Sequence, residues 1–264
     1  MFEYGFFVNA LIAVVLLSIS SAIIGTYIVS RRLVSISGGV THACFGGLGL
    51  GCWLGVSPVA TAAVFAIASS LGVQWMASRG RVREDSAIAV IWAIGMAVGT
   101  IFIFLTPGYV PELNAFLFGN ILTVSRSDLW VFAAFTAITV FIMARWFHTI
   151  VICAFDPDFA RVRRLPVSVI TTVMTVLVTV CIVLTIRLVG VMLLMSMLAL
   201  PQMTAECFAR RFASIMWLSI AVSLVCSAGG LFLATVVPVP CSALMVLVMA
   251  AVYVAARAVR ALRA

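Results

Sequence analysis

His42 is the side chain whose position most constrains what this chain can do. It lies in the run Ser37-Gly38-Gly39-Val40-Thr41-His42-Ala43-Cys44, inside a stretch that carries no charged residue from Leu33 to Ser78. An imidazole is a proton carrier or a metal ligand, and a polar ring at membrane depth marks a functional site by default. The alternative is a packed histidine hydrogen-bonded inside a glycine-rich helix. The second histidine, His148, follows Arg145 at the end of an apolar run and reads as an interface anchor. The remaining chemistry is defined by what is missing. There is no lysine, so neither a P-loop nor Schiff-base catalysis is possible. No H-E-x-x-H and no C-x-x-C occurs among the two histidines and seven cysteines, which argues against a closed zinc site or a disulfide framework. No pair of acids sits mid-membrane to relay protons. These residues do not compose a catalytic centre, and any transport must draw its power from another chain.

The elements that hold His42 follow from composition. Hydrophobic residues make up 65% of the 264 residues and charged ones 9%, against about a quarter charged in a soluble domain. Lipid is therefore the solvent for most of the chain. Gly5–Ser30 has no charge, nor has Phe212–Ala256, and a crossing needs about 20 apolar residues. Arg31 and Arg32 follow the first stretch rather than precede it, the reverse of a cleaved signal. The spans read as 5–29, 33–52, 57–78, 86–106, 128–148, 167–186, 188–209, 213–236 and 241–259, so the fold class is an all-α polytopic helix bundle of eight or nine spans in one domain covering 1–264. The second span is dense in glycine, which is unfavourable for a helix in water but lets helix backbones approach closely in a membrane. Gly38, His42 and Gly46 share one face, Gly39, Ala43 and Gly47 the next. It reads as a tightly packed central helix, or as a broken or re-entrant one.

Alternating these spans sorts the sixteen arginines. Arg31, Arg32, Arg79, Arg81, Arg83, Arg145, Arg161, Arg163, Arg164, Arg210, Arg211, Arg257, Arg260 and Arg263 fall on one side, and Arg126 and Arg187 on the other. Arg-rich short loops stay cytoplasmic, which puts the N-terminus outside and the C-terminus inside for nine spans. The net charge of +8 is thus a topology signal and no argument for nucleic acid. Arg187, near an outer span end, is a snorkelling anchor or a contact for an external partner. The external loop Pro107–Asp128 contains Ala115–Val124, too short to cross, either a helix at the outer mouth or a packed surface helix. On the cytoplasmic side Asp156 is a good N-cap, Pro157 suits the first helical position, and Asp158 and Arg161, Arg163 and Arg164 match the two ends of the helix dipole. Phe155, Phe159 and Val162 give this short helix an apolar face, either for the headgroups or for docking a soluble partner.

Several segments resemble, in order and spacing over about residues 10–260, the permease subunits of zinc/manganese-type ABC importers. They are Ser37–Ala43, Arg83-Glu84-Asp85-Ser86-Ala87-Ile88, Ala115-Phe116-Leu117-Phe118-Gly119-Asn120-Ile121-Leu122, Phe155–Arg161, and Val189-Gly190 running to Leu200-Pro201-Gln202-Met203-Thr204-Ala205. The resemblance implies a homodimer in the bacterial inner membrane around one pathway, a cytoplasmic ABC ATPase dimer that holds the ATP, and an extracytoplasmic solute-binding protein. It implies no cofactor on this chain, whose metal is cargo. Asp156, Asp158, Phe159, Arg161, Arg163 and Arg164 would form the coupling helix, and Phe118, Gly119 and Asn120 the outer mouth. Two departures stand out. The family usually has Asp four residues before the histidine, where this chain has Gly38, and often Asp where it has Asn120. Both remove negative charge from a route for a dication, and burying even one unit charge costs of order 20 kcal/mol in the idealised limit. What remains on the pathway is His42 as metal ligand, with Thr41, Gly38, Cys44 and Met195 about it. Imidazole and sulfur suit zinc or copper(I) over manganese or calcium, so zinc is expected before manganese or iron. For Cys44 and Met195 the competing reading is core packing. Two alternatives remain: the same architecture carrying a metal chelate (siderophore, haem or corrinoid), which needs no carboxylate, and a secondary transporter driven by an ion gradient. A weaker one is a membrane scaffold that transports nothing.

Overall fold

The computed structural model describes residues 5–78, 83–107, 119, 121–237 and 239–263. Among them the chain is helical and has no strand: α1 Gly5–Ser30, α2 Val34–Leu54, α3 Pro58–Ser78, α4 Glu84–Leu105, a 3-10 turn Ile121–Thr123, α5 Arg126–Phe155, α6 Pro157–Val162, α7 Val167–Ala205, α8 Phe212–Leu233 and α9 Cys241–Arg263. Seven of these helices (all but α2 and the six-residue α6) are long and apolar enough to cross a membrane. The polytopic all-α bundle expected from the sequence is therefore the fold.

Helix α1 is the central post. Its residues are buried almost continuously from Leu17 to Ile28, and α5, α7 and α8 pack around it. Ser20, Ser21 and Thr26 are satisfied within the helix, Ser20 donating to Leu16 O at 2.9 Å and Thr26 to Ala22 O at 2.7 Å, while the buried Ser18 hydroxyl has no partner among the described residues. In lipid a polar group has no water to turn to, and this back-bonding lets those three sit inside at no cost in orphaned donors.

Helix α2 is continuous from Val34 to Leu54 and ends at Gly55 with φ +67, a left-handed stop that glycine adopts without strain. It is neither broken nor re-entrant. Helix α5 is longer than the 128–148 expected, running 30 residues to Phe155 with a kink at Trp146. At about 45 Å it overruns a hydrocarbon core of about 30 Å, so its last turns leave the bilayer and deliver the chain to α6.

The expected spans 167–186 and 188–209 are two legs of one element, α7, which is bent at Gly190 (φ 77, ψ 174). The contacts require the chain to reverse there. Thr175 and Val178 line a small cavity with Tyr27 and Ile28, and Gln202 Nε2 donates to Ser21 O at 3.2 Å. A straight helix would separate residues 178 and 202 by about 36 Å, yet Ser21 and Tyr27 lie only about 9 Å apart along α1. The apex, Leu188–Val189 with Leu193, packs near the other end of α1 with Phe7 and Val14.

Candidate functional site

The site begins with the glycines of α2 and α4. A Cβ built on Gly95 would lie 2.6 Å from the Ala43 Cα, and one on Gly49 would lie 2.5 Å from the Gly99 carbonyl oxygen. The two backbones touch, an approach that only residues without side chains permit. Trp92, one turn before Gly95, is thereby brought over His42. The rings stack at a centroid distance of 4.4 Å with 3° between planes. His42 is half-buried and Trp92 is 44% exposed, so the pair lies at the edge of the bundle, not in its core.

One turn below His42, the space beside Gly38 is occupied by Met195 from the returning leg of α7. Its methyl carbon stands 3.1 Å from where a Gly38 Cβ would be, and Ser37 Oγ donates to its Sδ at 3.5 Å. The structure thus brings Gly38 and Met195 together on the same turn-to-turn track as His42. Thr41 and Cys44 face elsewhere. The Thr41 hydroxyl donates to Ser37 O at 2.6 Å and is spent on the backbone. Cys44 is 1% exposed and packs in the main apolar cluster with Leu48 and Ala62. Two residues along a helix is a rotation of about 200°, so the expected placement of Cys44 as a neighbour of His42 is not met. Among the described residues no three of His, Cys, Asp or Glu converge on one point. His148 is exposed with its ring edge-on to Phe147.

At the outer end Gly119 (φ 54) lies against the backbone of Val189 and Gly190, so a side chain there would overlap the α7 apex. Phe118 and Asn120, the other outer-mouth residues, lie outside the described residues, as does most of the expected 115–124 helix; Ile121 is buried, and Asn9 Nδ2 donates to Val124 O at 3.4 Å. Arg187, expected to be a snorkelling anchor or a contact for an external partner, is paired with Asp128 at 2.7 Å.

At the arginine-rich end Asp156 Oδ1 accepts from Phe159 N at 2.8 Å, and Pro157 opens α6. The helix covers Pro157–Val162, with Arg163 at its C-cap and Arg164 left-handed at φ 57. Asp158 pairs with Arg161 at 2.7 Å, while the Arg163 guanidinium lies 5.1 Å from the centroid of the Phe159 ring. Ala160 is buried against the bundle, whereas Phe155, Phe159 and Val162 are 60%, 44% and 82% exposed. The capped helix thus keeps an apolar face largely exposed.

The family model described as the ABC 3 transport family matches residues 3–260, nearly the whole chain. The chain belongs to the ABC 3 transport family. This family member is 35% identical over 249 residues to a "Probable metal transport system membrane protein" of Chlamydia pneumoniae, covering 92% of this chain and 85% of the relative. It is 27% identical over 246 residues to the "Manganese transport system membrane protein MntC" of Halalkalibacterium halodurans, covering 93% and 84%. Among solved structures it resembles PsaBC from Streptococcus pneumoniae in complex with Fab, with a TM-score of 0.84 and 26% identity over 96% of this chain and 91% of that one. As a member it is a multi-pass protein of the inner membrane. Sequence reasoning did not single out Trp92 or Ser37; the G-x-x-x-G spacing of Gly95 and Gly99 was the available signal for the first.

Proposed function

We propose that this ABC 3 family member is the membrane-spanning permease of an importer for a transition metal, with zinc favoured. Manganese or iron is the alternative, supported by relatives named for metal, manganese and iron transport. The observation that carries the reading is the pairing of soft donors along one track of α2: the His42 imidazole held by Trp92, and the Met195 thioether seated beside Gly38. Imidazole and thioether suit zinc or copper(I) better than the harder manganese. The reading includes a second copy of this chain, so that two such tracks enclose one pathway. It also includes a cytoplasmic ATPase dimer gripping the exposed face of α6 and an extracytoplasmic binding protein above the α7 apex. ATP is then hydrolysed on the partner, and this chain alternates between inward- and outward-open states whose populations nucleotide shifts.

The same geometry favours one second reading. With glycine at position 38 and a methyl group above it, the track is apolar enough for a metal chelate, whose donors travel with the metal. The test is zinc uptake into vesicles holding the assembled transporter. His42→Ala abolishes metal-stimulated uptake while the complex still assembles; unchanged uptake of free zinc removes His42 from the route. Uptake of a chelate alone, indifferent to His42, establishes the second reading.

A further inference from the structure

The side of α1 that faces α5 and α8 carries a cavity of about 610 Å³ walled by Ile19, Ile23, Val140, Phe147, Met216 and Trp217. Both α5 and α8 pack on α1, and between them they leave a trough with α1 as its floor. Its cytoplasmic end is closed by aromatic rings: Phe212 contacts Phe147 at 5.8 Å and Phe155 at 6.3 Å. The depth is given by α1. Ile19 and Ile23 lie 11 and 7 residues before Ser30, about 17 and 10 Å from the cytoplasmic end of the helix. That is the inner half of the hydrocarbon layer, where an apolar hollow holds no water.

Three arginines adjoin the wall of the trough along the chain. Arg145 adjoins the wall residue Ala144, and Arg210 and Arg211 lead into α8 just before the wall residue Ala213. All three are exposed. The arginine–carboxylate pairs among the described residues are Arg161–Asp158 and Arg187–Asp128, so these three have no acidic partner there. Arg145 instead lies 5.7 Å from the centroid of the Trp146 ring. Arg211 enters α8 extended and without a side-chain cap, which leaves the first amides of the helix aimed at the same rim.

We propose that this trough is a binding site for an anionic phospholipid of the inner leaflet, one acyl chain in the cavity and the phosphate among Arg145, Arg210 and Arg211. Basic pockets between spanning helices on the cytoplasmic side have the chemistry for such headgroups, each arginine contributing about 1 kcal/mol, or about a fivefold preference. The site is remote from the α2–α4 track and independent of the cargo.

Trp217 supplies the probe, since it lines the cavity and is 67% exposed. The full chain is placed in phosphatidylcholine vesicles containing brominated-chain phosphatidylglycerol or brominated-chain phosphatidylcholine. The Trp217 signal is the difference between wild type and Trp217→Phe. Brominated phosphatidylglycerol should quench Trp217 at a several-fold lower lipid fraction than brominated phosphatidylcholine. Trp130, 78% exposed near the outer end of α5, should show no headgroup preference in the same subtraction. Arg210→Gln with Arg211→Gln should bring the ratio of the two lipids close to one, and Arg145→Gln alone should lower it part of the way. Equal quenching of Trp217 by both lipids overturns the proposal, as does its complete protection, which would mean that protein covers the trough. A preference that survives all three arginine changes does the same.

Discussion

Gly95→Ala tests whether the α2–α4 seam builds the site. The added methyl would lie 2.6 Å from the Ala43 Cα and 3.3 Å from the Ala43 Cβ and N. Carbon atoms settle at about 3.5–4.0 Å, so the helices must part by about 1 Å. The neighbour is backbone and cannot rotate away. Overpacking of this kind costs about 1–3 kcal/mol, offset by up to about 1 kcal/mol of helix propensity gained on replacing glycine. The control is Gly72→Ala in α3, where an added Cβ meets nothing within 4 Å and only the propensity gain applies. The two variants should therefore differ by about 1–3 kcal/mol in a denaturant titration followed by circular dichroism. The same displacement lifts Trp92 from His42. In a His148→Gln background, where His42 is the only imidazole, Gly95→Ala should raise the rate of His42 modification by diethylpyrocarbonate. Equal stability of the two alanine variants, with unchanged His42 reactivity, would refute the claim that backbone contact holds the stack.

Four other substitutions probe separate parts of the molecule. Gly38→Asp meets only the mobile end of Met195, so it should fold, and restoring a hard oxygen donor beside His42 should raise manganese uptake relative to zinc; an unmoved ratio means that this turn does not face the route. Phe159→Ala removes an exposed ring from α6 and should weaken co-purification with the ATPase while leaving the unfolding midpoint unchanged; undiminished recovery argues against α6 as the handle. Asp156→Ala removes the cap on Phe159 N and should loosen α6 by about 1 kcal/mol, seen as faster amide exchange over 157–162. Gly190→Ala must hold φ 77, ψ 174, a region that essentially only glycine occupies, at about 1–3 kcal/mol; a variant as stable as wild type would show that the apex relaxes by another route.

The spans were legible because lipid makes length and apolarity nearly sufficient. Helix α2 was legible for another reason: its glycines, weak in water, mark close packing in a membrane, and they do meet Gly95 and Gly99. The break between the sixth and seventh spans was placed at Arg187, three residues short of Gly190. The charge at Arg187 marks the turn approximately, and Gly190 is where the backbone makes it. The overrun of α5 to Phe155 was hidden because helix propensity continues past the bilayer edge without a stop signal until Asp156-Pro157. Gly38, His42 and the α6 cap could be read from local spacing. Met195 is named beside His42 in the sequence for its sulfur, but its seat against Gly38 and the stacking of Trp92 on His42 join residues far apart in sequence, and nothing local separates a thioether over a pathway from one filling a gap. Cys44 illustrates the same limit from the other side: two residues from His42 in sequence, it lies across the helix.

These observations divide the proposed site into a half that is locked and a half that can move. His42 and Trp92 belong to α2 and α4, whose backbones interlock at Ala43, Gly95, Gly49 and Gly99; a packed seam of this kind is bistable or rigid but does not deform continuously. Met195 belongs to the returning leg of α7, held to α1 by Gln202 and meeting the α2 track through a sulfur contact and a methyl group. Helix α7 is also the element that follows α6, with four residues between Val162 and its start at Val167. A force applied at the exposed face of α6 therefore enters the bundle through its two neighbours in the chain, α5 and α7, and α7 is the one whose far leg seats Met195. On the proposed reading the imidazole stays fixed, and the thioether above Gly38 is the donor that opens and closes.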